Sequence, residues 1–183
     1  EHIEDNRDLL RNRLSALLAN NDVLVLSGGV SMGKADFVPG VLASLGVEVV
    51  FHKISQRPGK PMWFGIGPEK QAVFALPGNP VSSLVCCRQY VLPALWLASG
   101  RKTIEEDYAT LAEDIRFGAD LTCFQPVRLA PGADGSVRAT PVKTNTSGDF
   151  ASLSGTDGYV ELAKDESEFA AGAVVPLHRW NSP

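Results

Sequence analysis

Reactive side chains are scarce in this sequence. The three histidines, His2, His52 and His178, stand far apart, and the three cysteines, Cys86, Cys87 and Cys123, include an adjacent pair poorly suited to bridging itself. No Cys and His set has the spacing of a metal site, no convincing Ser-His-Asp order can be built, and the histidines receive no role. So few thiols fit a reducing, cytoplasmic setting better than a disulfide scaffold. Positive charge is also short. Seventeen Lys and Arg against 21 Asp and Glu leave a formal net charge of -4, which argues against a protein that works by broad neutralisation of nucleic-acid phosphates. Long hydrophobic runs are missing as well: the longest, Val81 to Ala98, is broken by Arg88, Gln89 and Pro93. A membrane span and a signal peptide are therefore not expected, and the chain reads as soluble.

What remains is an ordinary globular composition, 44% hydrophobic and 21% charged over 183 residues, with room for one large domain or two small ones. Asp5 or Asn6 can cap a helix that sets Leu9, Leu10, Leu14, Leu17 and Leu18 on one face. Val23 to Leu26 reads as a buried strand, Val38 to Leu45 as a helix stopped by Gly46, and Val47 to Ile54 as a strand. Met62 to Ile66 and Ala72 to Leu76 form a hairpin about the Gly67–Lys70 turn, and a long helix runs from Pro80 to about Ala98. This order predicts an α/β fold, a three-layer, largely parallel sheet domain over residues 1–100. From 101 to 183, turn signals separate candidate strands Thr122–Leu129, Val137–Val142, Tyr159–Leu162 and Ala173–Leu177, which predicts a small all-β, barrel-like domain. Residue 1 is Glu and no strand precedes the first helix, so the chain is expected to be a piece of a longer one.

Three glycine-rich corners carry the chemistry. Ser27-Gly28-Gly29-Val30-Ser31-Met32-Gly33 offers backbone N–H groups unblocked by side chains, two hydroxyls and a helix start. It lacks the lysine and hydroxyl that close a P-loop, and it is no dinucleotide fingerprint. Asp36 stands at its mouth, where a carboxylate tolerates a bound phosphate if a divalent cation lies between them; the bland alternative is an acid near a helix start. The second corner, Arg57-Pro58-Gly59-Lys60-Pro61, gathers Lys53, Arg57 and Lys60 on a stiff loop suited to an oxyanion, or forms a solvated basic turn. In the third, Pro77-Gly78-Asn79-Pro80, the helix start is expected to present Ser82 and Ser83 outward at its positive end. Trp63, Phe64 and Phe74 are expected to pack rather than stack on a ligand, and Cys86 and Cys87 to be structural thiols.

In order and wording, Asp22-Val-Leu-Val-Leu-Ser-Gly-Gly-Val-Ser-Met-Gly-Lys-Ala-Asp36, Arg57-Pro-Gly-Lys-Pro61 and Leu76-Pro-Gly-Asn-Pro-Val-Ser82 resemble the molybdopterin molybdenumtransferases, the MoeA and gephyrin E-domain family. The likeness covers most of residues 5–100, and Asn145-Thr-Ser-Gly-Asp-Phe-Ala-Ser-Leu153 resembles the family's final β-domain. The resemblance implies a cytoplasmic, usually dimeric enzyme with a MoaB/Mog-like α/β domain, here N-terminally incomplete. Such an enzyme inserts molybdate into adenylated molybdopterin and releases AMP with the help of Mg²⁺. It implies that Ser27, Gly28, Gly29, Ser31, Gly33 and Gly78 line the substrate site and that Asp36 serves the metal. Lys53, Arg57 and Ser82 would face the oxyanion, Lys60 and Asn79 would order the loops, and Ser147 would add a ligand from the tail. Arg57 stands where many relatives have lysine. A molybdopterin adenylyltransferase and a gephyrin-like peptide-binding scaffold are the alternatives; the β-rich tail favours the first reading.

Overall fold

The computed structural model describes residues 1–30, 36–102, 106–143 and 150–181. The chain divides into two compact units, Glu1–Ile54 with Gly59–Val91, and Ser55–Pro58 with Leu92–Pro183.

The first unit opens on α1 (Arg7–Asn20), started by Asn6, whose Oδ1 accepts hydrogen bonds from the Asp8 and Leu9 N–H groups at 3.0 and 3.1 Å. Of the expected apolar face, Leu10, Leu14 and Leu18 are buried and Leu17 is partly so, while Leu9 is exposed. β1 (Val23–Ser27) follows, then α2 (Val38–Ser44) with Pro39 in its first turn, and Gly46 turns the chain at φ +81°. β2 (Glu48–His52) ends at the basic corner, with β3 (Gln56–Arg57) beyond it in the second unit. β4 (Trp63–Ile66) and β5 (Ala72–Leu76) make the expected hairpin.

The sheet of this unit has the order β1-β5-β4-β2. It is mixed, not largely parallel as the sequence suggests: β1 and β5 run parallel, whereas β4 pairs antiparallel with both β5 and β2. The physical reason is local. The Gly67–Lys70 turn is too short for a crossover, so β4 and β5 must oppose each other. One sheet face sets Leu24, Trp63, Val73 and Ala75 against Leu10, Leu14 and Leu18 of α1 and Val38, Val41 and Leu42 of α2. Gly65 is required in β4, since a Cβ there would lie 2.7 Å from the Glu48 carbonyl oxygen and inside the Trp63 ring.

The expected long helix is three pieces: α3 (Pro80–Cys86), a π-helical turn at Cys87–Val91 and α4 (Leu92–Ala98). Pro93 has no N–H to return to the Gln89 carbonyl, and the widened turn lies directly before it. By length and composition alone, Pro80–Ala98 could cross a membrane.

In the second unit, β6 (Asp107–Leu111), β7 (Ile115–Arg116), β8 (Thr122–Pro131), β9 (Val137–Pro141), β10 (Gly158–Leu162), β11 (Glu168–Phe169) and β12 (Val174–Arg179) follow. The order β10-β12-β6-β9-β8 closes through a β10–β8 pairing into a five-stranded barrel, and β3 adds to β8 outside the ring. Its core is Ala109, Leu111, Cys123, Val127, Ala139, Val160, Leu162, Val175 and Leu177. Burial there pushes the Cys123 thiol up to about 11, with the Arg57 guanidinium opposing the shift.

Two outcomes follow from this packing. Leu14 is fully buried, so Leu14→Ala is expected to cost about 2–5 kcal/mol in urea unfolding, whereas Leu9→Ala stays near the natural stability. Alkylation with iodoacetamide at pH 8 is expected to modify half-buried Cys87 before buried Cys86 and Cys123, as mass spectrometry of timed samples would register.

Candidate functional site

The parallel register of β1 on β5 runs from Val23 opposite Ala72 to Ser27 opposite Leu76, so both strands deliver their carboxyl ends, and the corners after them, to one edge of the sheet. That edge is where open α/β sheets hold ligands. The Gly28 N–H donates to the Leu76 carbonyl at 3.0 Å. A Cβ on Gly78 would come within 3.4 Å of Gly28 Cα, so the first and third corners lie backbone against backbone. Gly28 and Gly29 hold φ of +95° and +67°, conformations that glycine adopts without strain. At Gly29 a side chain would also strike Val38 Cγ2 at 2.6 Å.

Hydroxyls gather at the same edge. Ser27 Oγ lies 3.2 Å from Ser83 Oγ and donates to the Pro77 carbonyl at 3.3 Å, an oxygen to which Ser83 also donates. The Asn79 side chain caps α3 by accepting from the Ser82 N–H at 3.1 Å. Ser82 itself is buried, not outward-facing as the sequence suggests, and Ser83 is the hydroxyl that stands beside Ser27. The helix start turns residue 82 inward among Val81 and Val85, a consequence of phase along the helix that Pro80 alone does not reveal.

β2 is antiparallel to β4, which is antiparallel to β5, so β2 also ends at this edge and brings Lys53 there. Lys53 is exposed and sits at φ +73°, a left-handed backbone that costs a residue with a side chain about 1–3 kcal/mol. Its N–H donates to Met62 O at 2.8 Å, the Ile54 N–H donates to Lys60 O at 2.9 Å, and Cys86 Sγ reaches Gly59 O at 3.8 Å. Those bonds fix the corner and leave the Lys53 and Lys60 side chains exposed. His52, given no role by the sequence, places Nε2 at 3.3 Å from the Val30 carbonyl oxygen.

Arg57 belongs to the second unit. β3 pairs parallel with β8, Arg57 opposite Cys123, and the guanidinium carbon lies 6.0 Å from the Phe117 ring centre. Asp36 stands two residues before α2. Among the described residues no group of three or more His, Cys, Asp or Glu could hold a metal ion. Ser31, Gly33 and Ser147 lie outside the described residues. The aromatics pack as expected: Trp63 joins the core, and Phe64 lies 4.7 Å from Phe74 and 5.6 Å from Phe51, ring centre to ring centre.

Comparison with known proteins gives this edge a setting. Residues 1–96 match the family described as probable molybdopterin binding domain, and residues 108–180 match the MoeA C-terminal region, domain IV. A molybdopterin molybdenumtransferase of Synechocystis is 37% identical over 98% of this chain and 44% of its own length. One from Haemophilus influenzae is 30% identical over 98% of this chain and 45% of its own length. A crystal structure of a molybdopterin biosynthesis MoeA protein from Pyrococcus horikoshii superposes with a TM-score of 0.77 at 29% identity, over 99% of this chain and 43% of that one. The chain thus spans under half the length of the relatives it matches. Since the glycine, serine and proline corners sit within the first matched region and the closed barrel within the second, the chain belongs to the molybdopterin-binding domain family, joined here to a MoeA C-terminal region.

Proposed function

We propose that this chain supplies the substrate-holding part of a molybdopterin molybdenumtransferase, which inserts molybdate into adenylated molybdopterin and releases AMP. The observation that carries the reading is the meeting of the first and third corners at one sheet edge, with Ser27 and Ser83 hydroxyls 3.2 Å apart and Lys53 arriving on β2. Both substrates are anions. Bringing them together calls for donors held in place before binding, because preorganised dipoles and cations offset the repulsion without further ordering.

In this reading Ser27, Gly28, Gly29 and Gly78 form the wall against the pterin and its phosphate, and Asn79 and Ser82 hold that wall by capping α3. Ser31, Gly33 and Ser147 are proposed as further ligands on the resemblance alone. Lys53 donates to the incoming oxyanion, and Lys60 orders its loop. Arg57 is proposed as an oxyanion ligand because a guanidinium offers a paired donor geometry that suits a tetrahedral anion. A carboxylate at Asp36 fits Mg²⁺, which takes one or two protein carboxylates and completes its shell with water and substrate phosphates. Bound there, the ion would neutralise charge on the phosphate that AMP carries away. The C-terminal region match supports a transferase over an adenylyltransferase. The whole protein is proposed to be a cytoplasmic homodimer, in which the open edge of β1 receives further strands of a three-layer, more parallel domain.

Two substitutions test the site. In the full-length protein Asp36→Ala is expected to abolish Mg²⁺-dependent AMP release while the circular dichroism melt stays in place; unchanged release would remove Asp36 from the reaction. Lys53→Gly relieves the left-handed backbone while deleting the cation. It should therefore be at least as stable as the natural chain yet bind molybdate about tenfold or more weakly, the loss of one charge-assisted hydrogen bond. Calorimetric titration with molybdate, next to a thermal melt, would separate the two effects.

A further inference from the structure

Within the described part of the serine-glycine corner, Gly28, Gly29 and Val30 are held in different ways. Gly28 is tied through its N–H to Leu76 O, and Gly29 is pressed on Val38. Val30 buries its side chain in the core formed by Leu24, Val38, Val41 and Leu42. A further tie is a side chain reaching from the far edge strand: His52 Nε2 to Val30 O. These four ties bear on the direction of the Gly29 and Val30 peptide groups, which could face an anion.

We infer that His52 is a positioning residue of this corner, a latch that spans from β2 to the Val30 carbonyl and aims the Gly29 and Val30 N–H groups toward the substrate anion. This rests on the function proposed above. A carbonyl oxygen carries no proton, so the bond exists only if Nε2 holds one, which fixes the neutral ring as the Nε2-protonated tautomer. Val30 is buried as a whole, so its carbonyl does not turn out to water, and among the described residues the His52 ring is placed to pair with it. The same strand end carries Lys53 next in sequence. One element thus supplies the cation and the brace for the opposite wall, and a shift of the β2 terminus moves both together.

The test uses the intact protein with His52→Ala, His52→Gln and His52→Asn, and Ser27→Ala as a variant of the corner itself. The glutamine amide nitrogen reaches about as far as Nε2, and the asparagine nitrogen falls short. Two readouts are taken: hydrogen exchange of the Gly28 amide by mass spectrometry of the Leu24–Val30 segment, and molybdopterin affinity. His52→Ala and His52→Asn are expected to speed exchange about tenfold and weaken molybdopterin binding about fivefold or more, with His52→Gln restoring both to within about twofold. Nitrogen NMR of the natural protein is expected to show His52 as the Nε2-protonated tautomer. Unchanged exchange in His52→Ala, or a glutamine variant no better than the asparagine variant, would overturn the latch. Faster exchange with unaltered affinity would overturn the positioning role, provided Ser27→Ala does weaken binding. If Ser27→Ala binds molybdopterin as the natural protein does, the functional reading of the corner fails by itself, and the exchange comparison still decides whether the latch exists.

Discussion

The parallel pairing of β1 with β5 is the constraint on which the rest of this site depends. Five successive residue pairs fix the register, and a slip of one would turn Leu24, Val73 and Ala75 out of the core. Because the register ends at Ser27 and Leu76, the glycine corner and the proline corner emerge side by side, although some fifty residues separate them along the chain. Burial of the α1 and α2 faces on this sheet thus does more than hold the unit together. It sets the spacing of two backbone segments to within a van der Waals contact, a tolerance that loops alone could not hold.

Much of this was legible in the sequence, and the reasons are local. Asn6 as a cap, Pro39 and Pro80 in first helical turns, Gly46 as a stop and the turn between β4 and β5 are each dictated by the conformational demands of a single residue type. The barrel strands β8, β9, β10 and β12 were readable for the same reason, from the turn signals that separate them, whereas β6 was not foreseen. What escaped is what depends on partners. β3 and β7 are two residues each and exist only because β8 and β11 lie beside them. The direction of strand pairing escaped too, since buried runs look alike whether parallel or antiparallel.

The candidate site divides in the same way. The glycines and Asn79 announced themselves by type, because few residues can do what the backbone asks there. Ser83 was expected to face outward at the helix start, but its place beside Ser27 was not legible, and His52 was given no role, because the significance of both comes from a neighbour brought in by the sheet. Lys53 was singled out for its charge, while its left-handed backbone is visible only in three dimensions. Strain of that kind persists only where the surroundings enforce it, here through the bonds that close the corner on Met62 and Lys60.

The brief departure of Ser55–Pro58 into the second unit bears on how this protein can be dissected and how it folds. Gln56 and Arg57 complete their ladder with Thr122 and Cys123, so no single scissile point along the polypeptide yields both units whole. During synthesis, the nascent segment waits for its pairing partner until the barrel sequence has left the ribosome. Early maturation of the leading half therefore ends with one stretch still unpaired, and its completion is synchronised with the trailing half by topology alone.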